Sequence, residues 1–287
     1  MVEPAILEQI RLIEIKTKRL LSGALMGDSR SAVRGFGFDF DQIRPYQMGD
    51  DVRFIDWRAS SRTDKLLVKQ YRQEMNRTLL IMIDVSASAF YSSSSLLKNE
   101  LMAKIGAILS LAGEYNNDAV SLLLFSDKVE LFIPPGKGRG HIHGIVNELF
   151  TFKPTRKKTN LNNAFEYVGS LRRKGMIVFI VSDFIDDQCD RGLAVVAKKH
   201  EVIAITCLDD REKQFPSVGF VSMHDTETGC DIMIDAKKSS DGPLINRFLG
   251  KRIAAHEHIF NQYGVRHVAI EPKKDFFPDL LSFFRSY

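Results

Sequence analysis

Residues 78–88 read Thr78-Leu79-Leu80-Ile81-Met82-Ile83-Asp84-Val85-Ser86-Ala87-Ser88, an apolar run that stops at a carboxylate and is followed by hydroxyls at alternate positions. An apolar run without alternation suits a strand buried on both faces, and such strands belong to parallel sheets covered by helices on each side. The chain downstream keeps that rhythm. Ala119–Phe125, Met176–Val181, Val202–Cys207 and Arg266–Ile270 read as further strands, and Val129–Ile133 as a shorter one. Between them lie helical patterns, the longest placing Leu97, Leu101, Ile105, Ile108, Ala112 and Tyr115 on one stripe, with Glu100 four residues before Lys104. Residues 141–150, 161–171, 191–199 and 244–263 and a last segment supply the other helices, and Phe220–Met223 and Asp231–Ile234 two short strands. The expected fold class is α/β, a doubly wound and mostly parallel sheet.

Upstream the pattern differs. Pro4 to Leu21 places Ile6, Ile10, Ile13 and Leu20 at helical spacing. A glycine-dotted stretch from Gly27 to Asp64 comes next, with a strand suggested by Phe36, Phe38 and Phe40 and turns by Pro45 and Gly49-Asp50. Leu66 to Tyr71 reads as another strand, and Trp57 as an anchor of this segment onto the α/β domain. We therefore divide the chain into residues 1–75, a helix with a small β-rich extension, and residues 76–287, the α/β domain with a C-terminal helical extension.

At 287 residues with 44% hydrophobic and 26% charged side chains, the chain can bury a sizeable core, which excludes disorder and collagen. A net charge of +4 is too mild to announce a nucleic-acid binder. Three scattered cysteines cannot build a disulfide framework or a four-cysteine zinc site. No apolar run approaches the ~20 residues of a membrane helix, and the acidic start lacks a signal-peptide pattern. We expect a cytoplasmic protein without membrane contact.

In open α/β sheets ligands sit beyond the carboxyl ends of the strands, near the point where strand order reverses. Those positions carry Asp84, Ser86 and Ser88 after the first buried strand, Ser182-Asp183 after another, and Thr159 before the helix near Asn160. All offer oxygen, so the implied ion is hard: magnesium, manganese or calcium. Singly, each residue could instead be a helix cap, Asp84, Ser86 and Ser88 for a helix beginning near Leu96 and Thr159 for the next. Asp84 is also expected to lie at the surface, so that its removal would spare the fold.

An apolar strand ending in Asp84-x-Ser86-x-Ser88, with Thr159 and Asp183 downstream, resembles the metal-ion-dependent adhesion site of von Willebrand factor A-type domains. Arg34-Gly35, Gly37-Phe38-Asp39-Phe40, Arg44-Pro45-Tyr46, Gly49-Asp50-Asp51 and Ile55-Asp56-Trp57-Arg58 resemble the signature of the "domain of unknown function 58" family, which is similar to those domains. The resemblance implies that Ser86 and Ser88 bind the ion directly, and Thr159 in at least one state. Asp84 and Asp183 would act through water or by accepting hydrogen bonds. It further implies a non-enzymatic, Mg2+-dependent interaction module with an acidic side chain of a client protein at the open coordination position. A MoxR-type AAA+ ATPase is the implied partner, in assembly or maturation of other proteins.

Two rivals have sequence features of their own. A metal-dependent hydrolase could use the same ion, although no histidine follows the relevant strands closely. A nucleic-acid module could use residues 131–175, where Lys137, Arg139, Lys153, Arg156, Lys157, Lys158, Arg172, Arg173 and Lys174 face only Glu148 and Glu166; the same run could be a basic rim beside the ion. Nucleic acid is not the expected partner. The 134–140 stretch lacks Walker spacing and reads as a hairpin-to-helix connection. His141 and His143 are two apart, as are His256 and His258, which suits structural roles rather than chelation. Asp39, Asp41, Asp50, Asp51 and Asp56 are read as turn and strand residues rather than a two-metal centre.

Overall fold

The structure, a computed structural model, describes residues 42–47, 55, 57–62, 65–70, 77–90, 92–93, 96–156, 158–185, 190–213, 219–224, 231–235, 241–273 and 275–285. In chain order its elements begin with β1 (Gln42–Pro45), α1 (Trp57–Ser60), β2 (Leu67–Gln70), β3 (Thr78–Asp84), α2 (Lys98–Tyr115), β4 (Ala119–Phe125) and β5 (Val129–Gly136). They continue with α3 (Arg139–Thr151), α4 (Leu161–Ser170), β6 (Ile177–Ser182), α5 (Asp190–Lys199), β7 (Glu201–Cys207) and α6 (Asp210–Lys213). The last are β8 (Phe220–His224), β9 (Asp231–Asp235), α7 (Asp241–Gln262), β10 (Arg266–Ile270) and α8 (Phe277–Arg285).

Six strands form one sheet in the order β10-β7-β6-β3-β4-β5, parallel except for β5 against β4. The expected doubly wound α/β architecture is therefore what the chain adopts. β3 is buried along all seven residues. Its odd-numbered apolar side chains join α2, α3 and α8 through Leu101, Ile105, Ile142, Leu280 and Phe283. Leu80 and Met82 join the opposite layer, with Leu161, Phe165 and Val168 of α4, Val196 of α5 and Phe260 of α7. A period of two on a strand covered on both sides leaves no polar face, which is why the sequence shows no alternation.

α2 lies close to the sheet. A Cβ on Gly113 would stand 2.6 Å from Val120 Cγ2 and 2.9 Å from Leu79 Cδ1, so any larger residue would have to push these core side chains aside. Ser110, fully buried in this helix, donates to the Gly106 carbonyl at 2.8 Å and so adds no unpaired polar group to the core. The expected ion pair between Glu100 and Lys104 forms at 2.8 Å. The stripe is shorter than its spacing suggested: Leu97 and Tyr115 are both exposed.

Other boundaries differ for identifiable reasons. β5 runs on through Pro134-Pro135, which an edge strand tolerates because no ladder hydrogen bond is asked of their nitrogens. Pro45 ends strand β1, paired antiparallel with β2, rather than making a turn. Trp57 is 66% exposed, which corrects its reading as an anchor. The helix expected over 4–21, the strand at Phe36–Phe40 and the Gly49-Asp50 turn lie outside the described residues.

α4 and α5 touch where Gly192 faces Phe165. A Cβ there would lie 2.6 Å from Phe165 Cβ, an atom fixed to its own helix backbone. Gly192→Ala should therefore cost roughly 1–3 kcal/mol through overpacking, against the gain of about 1 kcal/mol that the change gives in an open helix. Urea denaturation of the two proteins measures the sign directly.

Candidate metal centre

β3 is where strand order turns: the chain goes to β4 and β5 on one side, and to β6, β7 and β10 on the other. Asp84 ends β3, and Asp183 is the residue after β6 on the adjoining strand. Both are nearly sealed from solvent, at 1% and 2% exposure. This corrects the surface position expected for Asp84. Its Oδ1 accepts from the Ser86 backbone N–H at 2.9 Å, a turn that curls the chain as it leaves the strand. Its Oδ2 accepts from the Ser182 hydroxyl at 2.8 Å, and Ser182 Oγ in turn accepts from the Phe184 N–H at 3.0 Å. Beyond the curl, Ser86 Oγ and Ser88 Oγ stand 3.0 Å apart, both buried.

Asp183 has a partner the sequence reading missed. Lys98, the first residue of α2 and wholly buried, places Nζ 2.8 Å from Asp183 Oδ2 and 2.7 Å from Glu212 Oε1. Glu212 Oε2 accepts from the Asp209 N–H at 2.9 Å. Asp209 is itself buried and accepts from Ser92 Oγ at 3.1 Å, Ser93 N at 2.7 Å, Ser93 Oγ and Arg211 N at 3.0 Å. The loop after Ser88, the head of α2 and the ends of β6 and β7 are thus joined in one polar network. A lysine in the first turn of a helix opposes the helix dipole. That mismatch was the one sequence signal that Lys98 answers a carboxylate elsewhere.

Thr159 is brought to the neighbouring strand end. The Asn160 N–H donates to the Ser126 carbonyl just past β4 at 3.1 Å, which sets the half-buried Thr159 segment beside the strand that pairs with β3. The caps expected of these residues on α2 and α4 do not form. Asn160 caps α4 by accepting from the Asn163 N–H at 3.1 Å, and α2 starts after Leu97 with no side-chain cap.

Burial, reinforced by the negative charge of Asp183, pushes the Asp84 carboxyl up to about 7 against the hydrogen bonds from Ser86 and Ser182. Burial opposes the charge on Lys98, but the carboxylates of Asp183 and Glu212 outweigh it and raise its pKa. The donor chemistry fits a hard divalent cation. Adjacent corners of an octahedron with metal–oxygen distances of about 2.1 Å are about 3.0 Å apart, and the two serine hydroxyls have that separation. Among the described residues no group of three or more His, Cys, Asp or Glu gathers as a metal cluster, so the hydroxyls are essential to this fit.

The other candidates separate in space. The Thr155 and Arg156 N–H groups donate to Glu130 near the start of β5, so that basic segment lies at the site's end of the sheet. Lys137 comes after β5, whose end pairs with the start of β4, and Arg172, Arg173 and Lys174 precede β6, so these lie at the opposite end. The 131–175 run is therefore neither a single rim nor a single nucleic-acid face. Pro134-Pro135-Gly136 is strand, and Gly138, with φ of 87°, leads into α3. His141 Nε2 lies 2.8 Å from the Val120 carbonyl, a structural bond. Lys157, Asp39, Asp41, Asp50, Asp51 and Asp56 lie outside the described residues.

The family model described as "Protein of unknown function DUF58" matches residues 42–242. "Uncharacterized protein Rv1480" of Mycobacterium tuberculosis (strain ATCC 25618 / H37Rv) is 27% identical over 292 residues, spanning 99% of this chain and 90% of that one. "Uncharacterized protein MAV169" of Mycobacterium avium is 33% identical over 122 residues, 40% of this chain and 68% of that one. Among solved structures, that of the conserved hypothetical protein BatB from Bacteroides thetaiotaomicron aligns with a TM-score of 0.47 at 12% identity, covering 73% of this chain and 98% of that one.

A carboxyl whose folded pKa is raised binds protons more tightly in the folded protein, so its contribution falls as pH rises from its unfolded value of 3.8 towards about 7 and is constant beyond. Asp84→Asn removes that slope. In chelator at pH 8 the variant should be more stable than the parent by a few kcal/mol, because each pH unit between those two values is worth about 1.4 kcal/mol. The gap should close below pH 4. Urea denaturation across this range measures it, and a gap independent of pH would refute the strained ionisation of Asp84.

Proposed function

The chain belongs to the DUF58 family, and from that premise we propose that it is a non-enzymatic, magnesium-dependent protein-interaction module. The observation that carries this reading is the buried Ser86–Ser88 hydroxyl pair, 3.0 Å apart, on the turn that Asp84 holds at the end of β3. Ser86 and Ser88 would hold Mg2+ directly, with Thr159 as a further ligand in at least one state. Asp84 and Asp183 would act through water and hydrogen bonds. Manganese or calcium suits the same oxygen donors. Neutral direct ligands leave most of a dication's charge available at an open coordination position, where an Asp or Glu side chain of a client protein fits.

A MoxR-type AAA+ ATPase is the partner we assign on family resemblance, with the chain as its adaptor in assembly or maturation of other proteins. We place this work in the cytoplasm, on the scarcity of cysteine. Among the described residues no helix is long and apolar enough to cross a membrane. A carboxyl near pH 7 would suit a general base, which bears on a metal-dependent hydrolase. Both Asp84 oxygens, however, already accept hydrogen bonds from the protein, which favours the binding role.

Because Asp84 is buried, Asp84→Ala would disturb folding as well as binding, and the hydroxyls make the cleaner test. The double change Ser86→Ala with Ser88→Ala should weaken magnesium binding in calorimetry by well over tenfold, since loss of an outer-shell partner alone already costs about tenfold or more. The fold, read by circular dichroism, should persist. Thr159→Ala should weaken engagement of the partner's acidic side chain more than magnesium loading. Unchanged magnesium affinity in the double variant would refute the site, and chelator-sensitive turnover of a phosphate ester would favour the hydrolase.

A further inference from the structure

Buried lysines are rare because an ammonium removed from water must be paired and hydrogen-bonded. Lys98 is placed against the dipole of its own helix, with its side chain at 0% exposure, and it bridges two carboxylates from different elements, Asp183 after β6 and Glu212 on α6. The same carboxylate of Asp183 is one of the five oxygen donors assigned to the metal. A monovalent cation therefore already stands on one flank of the place assigned to a divalent one, tethered through the first residue of α2.

We propose that Lys98 is the resident cation of this site: it holds Asp183 and Glu212 in position when no divalent ion is bound, and it keeps divalent affinity low enough for the ion to exchange. The inference rests on the metal reading above and deepens it. Its consequence is that folding and ion loading are uncoupled. Without a cation, two carboxylates and the Asp209 network would be left facing one another at the ends of β6 and β7, and removing one partner from a buried ion pair is strongly destabilising. With Lys98 in place that requirement is met internally. A loaded ion then adds charge to a preformed site, and its own affinity is reduced by the ammonium nearby.

Lys98→Met, of similar length and uncharged, separates these roles in the full-length chain. In chelator its thermal midpoint should fall well below that of the parent, and millimolar magnesium should restore most of the loss, while the parent should move little. Calorimetry should give magnesium binding about tenfold tighter or more in the variant, the size of effect a single neighbouring charge exerts on an ionisable group. Lys98→Gln, which keeps a donor between the two carboxylates, gives the same readout if the methionine variant does not fold. Magnesium bound by the parent and no more tightly by either variant would overturn the role of Lys98 and leave the metal site standing. Magnesium bound by neither parent nor variants would overturn both.

Discussion

Two carboxylates withdrawn from water at the ends of neighbouring strands impose the constraint around which this end of the molecule is organised. Asp84 and Asp183 belong to β3 and β6, which are adjacent because strand order reverses between them. Such a pair cannot stand unanswered in a low-dielectric interior. Each is answered differently. Asp84 receives two dipoles, the Ser86 N–H and the Ser182 hydroxyl, while Asp183 receives a full positive charge from Lys98. The meeting of these two strand ends is therefore a product of topology, and its chemistry is a product of the groups each strand end supplies to neutralise its neighbour.

The answer to Asp183 ties distant parts of the chain together. Lys98 begins α2, the helix that packs along β3 with glycine at its closest approach, so the ammonium is positioned by the main core rather than by a loop. Its second carboxylate, Glu212, sits on α6 and is braced by the Asp209 N–H. Asp209 in turn gathers Ser92 and Ser93 from the loop beyond Ser88. Phe184 closes the other side. Its φ of 50° is a left-handed conformation costing a non-glycine residue roughly 1–2 kcal/mol, and its buried ring packs 5.1 Å from Phe260 of α7. That strain is held in place by the buried packing of the Phe184 ring.

Much of this was legible in the sequence, for a definite reason. Strands buried on both faces appear as unbroken apolar runs, so β3, β4, β6 and β7 could be read directly, and the residues just past each run are set by chain order alone. Asp84, Ser86 and Ser88 needed nothing more. The features that could not be read depend on elements meeting in space. Lys98 lies fourteen positions from Asp84 in sequence, and only the meeting of the head of α2 with Asp183 after β6 and Glu212 on α6 reveals its partners. The basic residues between 131 and 175 look like one cluster in sequence. α3 and α4 carry the chain to the far end of the sheet and back, and so divide them. The length of β5 was hidden by Pro134-Pro135, which forbids a central strand but not an edge. Trp57 misled because aromatic character alone does not decide burial.

The charge balance at these strand ends limits what they can hold. The single Lys98 ammonium meets two carboxylates, Asp183 and Glu212, so negative charge is left over beside Asp84, whose own oxygens are met by the Ser86 and Ser182 dipoles. Those dipoles do not keep its carboxyl in the usual range: burial and the Asp183 charge prevail. The Ser86–Ser88 edge adjoins that residual charge and adds none of its own. The Lys98 ammonium is already engaged by two carboxylates, and the five assigned donors include neither thiolate nor imidazole for a soft metal. For the proposed hard cation, the residual charge and the spacing of the two hydroxyls would act together. Neither feature alone would select it, because hydroxyl pairs are common and buried aspartates are often merely structural. Their coincidence at the reversal of strand order is what the proposed cation site rests on.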